Sequence, residues 1–195
     1  MAKLYFSYAT MNAGKSTLLL QASYNYRERG MRTAILIASF DDRAGQGRIS
    51  SRIGLTSEAI AFDHADDLYK HVEDLNGDGG GEIACVFVDE AQFLSEEQVW
   101  QLARVADRLH IPVMAYGLRT DFQGKLFPGS KALLAIADEL REVRTICHCG
   151  RKATMVVRLG ADGKVAREGA QVEIGGNDKY VSYCRRHWDD IMSAD

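Results

Sequence analysis

Short apolar runs alternate with amphipathic stretches along most of the chain. Four of the runs are typical of strands buried on both faces of a sheet, and they lie at residues 4–8, 33–39, 83–88 and 112–117. Apolar residues at helical spacing predict helices that begin near Lys15 and at Ser95 and that cover residues 64–75 and 130–143. Strands that alternate with helices in this way pair in parallel through right-handed crossovers. The pattern therefore predicts an α/β protein built on a parallel sheet.

Local signals support the ends of two of these helices. Gly30 follows Arg27 and Arg29, which is the order expected where a helix stops. Ser95 precedes Gln98 by three residues, and this spacing is a capping-box signature. The buried stripe of the helix that Ser95 opens is predicted to consist of Val99, Trp100, Leu102, Ala103, Val105 and Ala106.

Three segments between these elements are less regular. Residues 41–52 are rich in glycine, arginine and polar side chains, so they are predicted to form a mobile surface loop. Residues 58–62 add a candidate strand, and residues 76–81 form a glycine-rich break.

The pattern changes from residue 144 onward. Short β-like runs at residues 155–159, 171–174 and 180–183 are separated by glycines, with no good helix between them. This texture predicts a small β-rich unit after the α/β core. We therefore expect one domain at residues 1–143 and a second at residues 144–195.

Composition narrows the function classes. The 195 residues are 46% hydrophobic and 26% charged with a net charge of −3, and no block of lysine or arginine stands out. That balance argues against a non-specific nucleic-acid binder, whose surface is strongly basic. The sequence has no apolar stretch of about 18 residues that could span a membrane, and its first strand starts too early to leave room for a signal peptide. A cytoplasmic protein is expected, in which four cysteines serve metal binding or packing rather than disulfides.

A phosphate-binding loop is predicted between the first strand and the first helix. Its residues are Ala9, Thr10, Met11, Asn12, Ala13, Gly14, Lys15, Ser16 and Thr17. Main-chain N–H groups of such a loop converge on phosphate oxygens, together with the positive end of the following helix. Lys15 is then expected to reach the β- and γ-phosphates of ATP, and the Ser16 hydroxyl is expected to bind Mg²⁺. The alternative is a Gly-Lys-Ser sequence that merely begins a helix.

Ala9 occupies the position where this loop pattern usually opens with glycine. Alanine disfavours positive φ but tolerates close packing. The predicted loop therefore requires that Ala9 keep an ordinary backbone conformation.

Two adjacent carboxylates, Asp89 and Glu90, close the apolar run at residues 83–88. In a phosphate-loop protein, an acid that binds Mg²⁺ belongs at the carboxyl end of a strand beside the loop. We therefore assign Asp89 to Mg²⁺, directly or through water. Glu90 points elsewhere and could accept a proton from an attacking hydroxyl group or position a water molecule. The alternative is a pair of solvated acids at the end of a strand.

Cysteine and histidine recur in two short clusters, Cys147-His148-Cys149 and Cys184-Arg-Arg-His187. Two ligand pairs of this kind can close a tetrahedral Zn²⁺ site, and the most economical set is Cys147, Cys149, Cys184 and His187. His148 is a competing ligand, and a chance grouping of thiols and imidazoles is the alternative to a metal site. Four protein ligands leave no position for a catalytic water, so the zinc is expected to be structural.

Four motifs carry a resemblance to a known family. They are Met11-Asn12-Ala13-Gly14-Lys15-Ser16-Thr17, Val88-Asp89-Glu90-Ala91-Gln92-Phe93, Tyr116-Gly117-Leu118-Arg119-Thr120-Asp121-Phe122, and Ile174-Gly175-Gly176-Asn177-Asp178-Lys179-Tyr180-Val181-Ser182-Tyr183-Cys184. Their order and their coverage of nearly the whole chain closely resemble the type II thymidine kinases. Ala9 and His187 depart from the pattern, since many members have glycine and a fourth cysteine at these positions.

The resemblance implies transfer of the ATP γ-phosphoryl group to the 5′-hydroxyl of thymidine or deoxyuridine. It also implies a RecA-like α/β core, a small zinc-bearing domain, feedback by dTTP and commonly a homotetramer. By the same likeness, Glu90 matches the family's catalytic base, Gln92 joins the nucleotide-binding residues, and the three cysteines and His187 match the zinc ligands.

The acceptor nucleoside is expected to bind at the last motif. Main-chain groups of a flexible segment can fold over a flat pyrimidine like a noose and read its edge. The residues assigned to this segment are Ile174, Gly175, Gly176, Tyr180 and Val181. Met11, Phe122 and Tyr183 would supply apolar and aromatic walls, with ordinary core packing as the alternative for each. Arg43 either helps to neutralise the transferring phosphate or is an ordinary solvated arginine.

These assignments favour a nucleoside kinase over two other classes. A RecA-like ATPase that acts on nucleic acid would have a basic surface, and the acidic balance argues against it. A nucleotide-binding regulator without turnover would have no need of a poised base such as Glu90.

Overall fold

The computed structural model describes residues 1–39, 47–172 and 179–194. The strands in this part of the chain are β1 (Leu4–Ala9), β2 (Arg32–Ala38), β3 (Arg48–Ser50), β4 (Thr56–Glu58), β5 (Ile60–Phe62), β6 (Ile83–Asp89), β7 (Val113–Leu118), β8 (Glu139–Glu142), β9 (Thr145–Ile146), β10 (Lys152–Ala153), β11 (Met155–Arg158) and β12 (Tyr180–Tyr183). The helices are α1 (Lys15–Glu28), α2 (Leu68–Gly77), α3 (Glu96–Arg108), α4 (Pro128–Ile136) and α5 (Arg185–Ser193).

The central feature is a parallel sheet of six described strands in the order β5-β2-β6-β7-β1-β8. Every neighbouring pair in it is parallel. The carboxyl ends of β1 and β6 open on the same edge, on either side of β7. In sheets of this kind ligands bind outside the carboxyl ends of the strands. The predicted phosphate loop after β1 and the Asp89-Glu90 pair at the end of β6 both lie at this edge.

Helices cover both faces of the sheet. On one face, Leu19 of α1 belongs to a buried cluster with Phe87 of β6. On the other face, Leu102 of α3 and Leu133 of α4 belong to a second cluster with Phe6 of β1. Strands covered on both faces need apolar residues at successive positions. The α/β fold and its parallel sheet are therefore confirmed, and they explain the four continuous apolar runs.

The predicted start of α3 is confirmed in detail. Ser95 Oγ accepts a hydrogen bond from the Gln98 main-chain N–H at 3.1 Å, and the Ser95 N–H donates to Gln98 Oε1 at 3.1 Å. The prediction that Trp100 belongs to the buried stripe was wrong, because Trp100 is 45% exposed. One position after the buried Val99, it faces roughly 100° away from the core side of the helix.

The predicted helix over residues 130–143 was wrong in its second half. The helix ends at Ile136, and residues 139–142 form β8 at the edge of the sheet. Asp138 causes this change, because its side chain accepts a hydrogen bond from the Leu4 N–H at 2.7 Å while its own N–H donates to the Leu4 carbonyl at 2.9 Å. An edge strand is half solvated, which explains its polar residues.

The predicted loop over residues 41–52 was also wrong in part. Residues 48–50 form β3, which pairs antiparallel with β4, and Ile49 is only 1% exposed. Residues 40–46 lie outside the described part of the chain. Farther along, α2 begins at Leu68 rather than at residue 64, because the Asp67 side chain accepts a hydrogen bond from the Lys70 N–H and caps the helix there.

In the described residues after 144, two small antiparallel pairs form, β9 with β10 and β11 with β12. The β-rich character is confirmed, but sequence reasoning missed α5 at the end of the chain. Among the described residues, none of the helices combines the length and the apolar character that crossing a membrane requires.

Candidate active site and metal centre

The segment between β1 and α1 has the geometry of a phosphate-binding loop. Gly14 has φ of 84° immediately before α1, and Asn12 has φ of 64°. Among the described residues, the non-glycine positions with positive φ are Asn12, Glu90 and His110, so Ala9 keeps an ordinary backbone at the end of β1. The condition for accepting alanine at this position is therefore met.

A cavity of about 270 Å³ opens at this loop. Its walls include residues 11–17 of the loop, the Asp89-Glu90 pair and residues 49–52 after β2. Sequence reasoning missed residues 49–52, because the glycines and polar residues of 41–52 predict a surface loop. The one signal available was Ile49, an isolated apolar residue among polar neighbours, which marks a position that the fold buries.

The predicted Mg²⁺ ligands lie against each other at the floor of the cavity. Ser16 Oγ donates a hydrogen bond to Asp89 Oδ2 at 2.8 Å. Asp89 is 2% exposed, and within the described residues its Oδ1 has no hydrogen-bond partner. Burial, followed by the nearby charge of Glu90, raises the pKa of the Asp89 carboxyl above its ordinary value. A buried carboxylate oxygen beside a hydroxyl is an arrangement that a hard cation such as Mg²⁺ would satisfy.

Lys15 lies at the same floor. Its residue is 9% exposed, and its Nζ donates a hydrogen bond to the Thr10 carbonyl at 3.3 Å. A buried ammonium within the turn of the loop is placed for contact with phosphate oxygens. Burial disfavours a charged ammonium, and the negative charge of a bound phosphate would offset that cost.

Glu90 is held in place from behind by Gln92. Gln92 Nε2 donates to Glu90 Oε2 at 2.6 Å, while Gln92 Oε1 accepts from the Leu118 N–H at 2.9 Å. The Gln92 side chain is 1% exposed, and a side chain at Gly117 would come within 2.9 Å of the Gln92 main chain. Glu90 itself has φ of 51° and ψ of 38°, a left-handed conformation rarely adopted by glutamate. Observed strain of this kind is concentrated at functional positions.

The residues predicted to bind the nucleoside are less closely grouped. Met11 lines the cavity. Phe122 is 1% exposed, and the Arg158 guanidinium lies 3.9 Å from the centre of its ring. Tyr180, Val181 and Tyr183 are half-buried on β12. The predicted residues Ile174, Gly175, Gly176 and Arg43 lie outside the described residues.

The predicted metal ligands come together after residue 144. The ligand atoms of Cys147, Cys149, Cys184 and His187 all lie within 4.8 Å of one another. Cys149 Sγ is 3.9 Å from Cys184 Sγ, and His187 Nδ1 is 3.4 Å from Cys147 Sγ and 3.5 Å from Cys184 Sγ. A tetrahedral zinc site requires separations of about 3.8 Å between sulfurs and about 3.6 Å between sulfur and nitrogen. The donor set therefore fits a zinc ion in its chemistry, and these three separations match a tetrahedral site.

His148 is not one of these four residues, although its Nδ1 lies 3.5 Å from Cys147 Sγ. Its ring stacks on that of His187 with centroids 4.4 Å apart, and its edge-to-face contact with Tyr183 has centroids 5.6 Å apart. Although burial acts to raise the pKa of Cys147, main-chain hydrogen bonds from Cys149 and Cys184 lower it to about 6. A thiol that ionises this readily is suited to metal binding.

Comparison with known proteins decides the family. The family model described as "Thymidine kinase" matches residues 2–188. The chain belongs to the thymidine kinase family. It is 84% identical to a thymidine kinase of Rhizobium meliloti over 98% of each chain. It is 73% identical to a thymidine kinase of Agrobacterium fabrum over 96% of each chain.

One solved structure outside this family is also similar, the Pif1 helicase from Candida albicans. The match has 15% identity and a TM-score of 0.39, and it covers 73% of this chain and 36% of the helicase. A likeness at this level carries no argument about the function of a thymidine kinase family member.

Proposed function

We propose that this chain transfers the γ-phosphoryl group of ATP to the 5′-hydroxyl of thymidine, with deoxyuridine as a related acceptor. Family membership and relatives named thymidine kinase over almost their full length support this activity. The observation that carries the proposal is the position of Glu90, a carboxylate fixed by Gln92 on the wall of the cavity that Lys15 and Ser16 also line. A protein that only bound nucleotide would have no need of this arrangement.

The loop of residues 9–17 is proposed to bind the triphosphate. Its main-chain N–H groups and the positive end of α1 contact phosphate oxygens, and Lys15 contacts the β- and γ-phosphates. Ser16 and Asp89 would hold Mg²⁺, and Arg43 would add a further positive charge. When bound, Mg²⁺ neutralises charge that develops between the phosphates. Gln92 contributes from behind the cavity wall, through Glu90.

Glu90 is proposed to act as the general base. Its carboxylate accepts the proton of the 5′-hydroxyl as the sugar oxygen forms a bond to the γ-phosphorus, and the bond from that phosphorus to the β,γ-bridging oxygen breaks to release ADP. Phosphoryl transfer depends mainly on alignment and electrostatics. A base anchored by a buried amide meets that need, because its position is fixed before the substrates bind.

The nucleoside is proposed to lie beside Met11 and under the segment that leads into β12. The residues assigned to it are Met11, Phe122, Ile174, Gly175, Gly176, Tyr180, Val181 and Tyr183. Phe122 reaches the nucleoside only when the residues over its ring move, because it is 1% exposed.

The three cysteines and His187 are proposed to hold a structural zinc ion. Four protein ligands close its coordination sphere, so zinc stabilises the second domain and takes no part in the reaction. We further propose that residues 1–143 and 144–195 are the two domains, that four chains assemble into a homotetramer in the cytoplasm, and that dTTP acts as a feedback ligand.

A phosphate-transfer assay with MgATP and a panel of nucleosides tests the activity. Thymidine should be the preferred acceptor over deoxycytidine and the purine deoxynucleosides, with dTMP as the product and about one zinc per chain in the same sample. ATP hydrolysis that is stimulated by single-stranded DNA, without transfer to any nucleoside, would favour the nucleic-acid ATPase instead.

A further inference from the structure

Hydroxyl groups tie the phosphate-binding loop directly to β12. Ser182 Oγ on β12 donates a hydrogen bond to the Met11 carbonyl in the loop at 2.7 Å. Thr10 Oγ1 lies 3.2 Å from Ser182 Oγ, and it also lies within 3.2 Å of the Met155 carbonyl on β11. The two contacts of Ser182 join residues about 170 positions apart in the sequence.

The number of hydroxyl protons determines which atom donates and which accepts in the contact between Ser182 and Thr10. A serine hydroxyl has one proton to donate, and the short bond to the Met11 carbonyl uses it. In the contact with Thr10, Ser182 Oγ is therefore the acceptor, and it shares the single hydroxyl proton of Thr10 with the Met155 carbonyl. Thr10 is 7% exposed, so little water is available to replace a partner that it loses.

The two elements that Ser182 joins serve different substrates in the proposed reaction. Met11 and Asn12 line the cavity at the phosphate loop. Tyr180 and Val181 on the same strand as Ser182 belong to the proposed nucleoside site, and Asn12 Nδ2 adds a longer contact of 3.5 Å to the Tyr180 carbonyl. β12 is in turn fixed by its antiparallel pairing with β11, where Ser182 lies opposite Val156.

We propose that Ser182 is a positioning residue that couples the two substrate sites. Its hydroxyl holds the main chain of the phosphate loop and β12 in one relative placement, so a ligand that orders either element lowers the cost of ordering the other. Thymidine and MgATP therefore bind with positive cooperativity, and this inference rests on the proposed function. Thermodynamic reciprocity requires that each ligand change the affinity of the other by the same factor.

The test measures that factor by calorimetry. The Kd of thymidine is measured with and without a non-hydrolysable imido analogue of MgATP, and the Kd of the analogue with and without thymidine. In the parent protein each ligand is expected to tighten the other about 5-fold or more. In Ser182→Ala this factor is expected to fall about 2-fold or more, toward one, because the loss of one hydrogen bond has an effect of that size.

A matched control separates coupling from general loss of stability. Ser23 in α1 forms a similar hydroxyl pair with Thr33 in β2 at 3.0 Å, but neither residue belongs to a proposed substrate site. Ser23→Ala should therefore leave the coupling factor unchanged.

If Ser182→Ala does not fold, Thr10→Val removes the other hydroxyl with little change of shape and should lower the factor, while Thr10→Ser should restore it.

The possible failures are distinguishable. A parent protein that transfers phosphate to thymidine but shows a factor of one, or the same factor after Ser182→Ala, overturns the coupling alone. An equal fall in Ser23→Ala also overturns it. Absence of transfer to thymidine overturns the proposed function and the coupling together.

Discussion

At the scale of single residues, the site depends on side chains that other side chains hold in place. The Gln92 side-chain amide donates a hydrogen bond to the Glu90 carboxylate and accepts one from the Leu118 N–H, so both polar atoms of this buried side chain are fixed. This anchoring makes the orientation of Glu90 a property of the folded protein rather than of the bound substrate.

Glu90→Gln removes the proposed base while keeping its size. We expect phosphate transfer to thymidine to fall by roughly 100-fold or more, because a neutral amide does not accept the hydroxyl proton. The Kd of MgATP should change little, since the phosphate loop is intact. Steady-state rates and calorimetry give the two quantities, and Glu97→Gln on the exposed side of α3 is the control. Normal turnover in Glu90→Gln would remove Glu90 from the mechanism.

Asp89→Asn should stabilise the ligand-free protein at neutral pH while it impairs activity. The carboxyl pKa is raised in the folded state, so the folded protein resists ionisation that the unfolded chain undergoes freely above its ordinary pKa of 3.8. Stability is therefore lost as pH rises from about 4 through the raised folded pKa, and asparagine avoids this loss.

Denaturant unfolding at two pH values measures this effect. At pH 7.5 the free energy of unfolding of Asp89→Asn should exceed that of the parent by about 1 to 3 kcal/mol, and near pH 4 the difference should vanish. The exposed Asp107→Asn serves as the control and should show neither effect. A variant that is less stable than the parent at pH 7.5 would contradict the assigned cost of burying Asp89.

At the scale of elements, the β3–β4 hairpin forms a wall of the cavity at the candidate phosphate loop, and the amino-acid pattern did not predict this wall. Ile49 is 1% exposed and packs in the same cluster as Leu19 of α1, while Ile53 in the adjoining turn is 70% exposed. The hairpin thus connects the cavity to the core through one buried side chain.

Ile49→Ala tests this connection, and Ile53→Ala provides a matched control. Truncation of a buried isoleucine should lower the free energy of unfolding by about 2 to 5 kcal/mol, whereas the exposed position should change it by less than about 0.5 kcal/mol. Chemical denaturation of both variants measures the difference. Equal effects would show that the hairpin contributes no packing to the core.

The same scale shows how far sequence reasoning reached. The buried strands and the Ser95 cap were predictable because the signals are local, in continuous apolar runs and one spaced pair of polar residues. β8 was not, because its identity depends on Asp138 meeting Leu4 from the other end of the chain. Within the site, Lys15, Ser16 and Asp89 followed from motif spacing. The wall at residues 49–52 and the link through Ser182 required the folded arrangement.

At the scale of the whole molecule, the candidate metal centre and the candidate phosphate loop belong to different parts of the chain. None of the predicted zinc ligands lies in the six-stranded sheet, since all four come after residue 144. Loss of zinc should therefore weaken the nucleoside site, through β12, more than the site for triphosphate.

Ligand substitutions test this separation. Cys149→Ser should lower the zinc content well below one per chain and raise the Kd of thymidine by about 10-fold or more, with a smaller change for MgATP. His148→Ala should keep its zinc, because His148 stands outside the group of four. Metal analysis and calorimetry on the same samples measure both effects. Zinc lost from His148→Ala but retained in Cys149→Ser would reassign the ligands.

The strand order has a consequence for synthesis on the ribosome. β1 is translated before both of its sheet neighbours, which are β7, starting at residue 113, and β8, starting at residue 139. At about 5 to 20 residues per second, elongation takes roughly 5 to 20 s to supply the first of them. During that interval Leu4 and Phe6, which the finished protein buries, are open to chaperones. The proposed phosphate-binding loop, which follows β1, thus leaves the ribosome long before the strands that flank β1 are available.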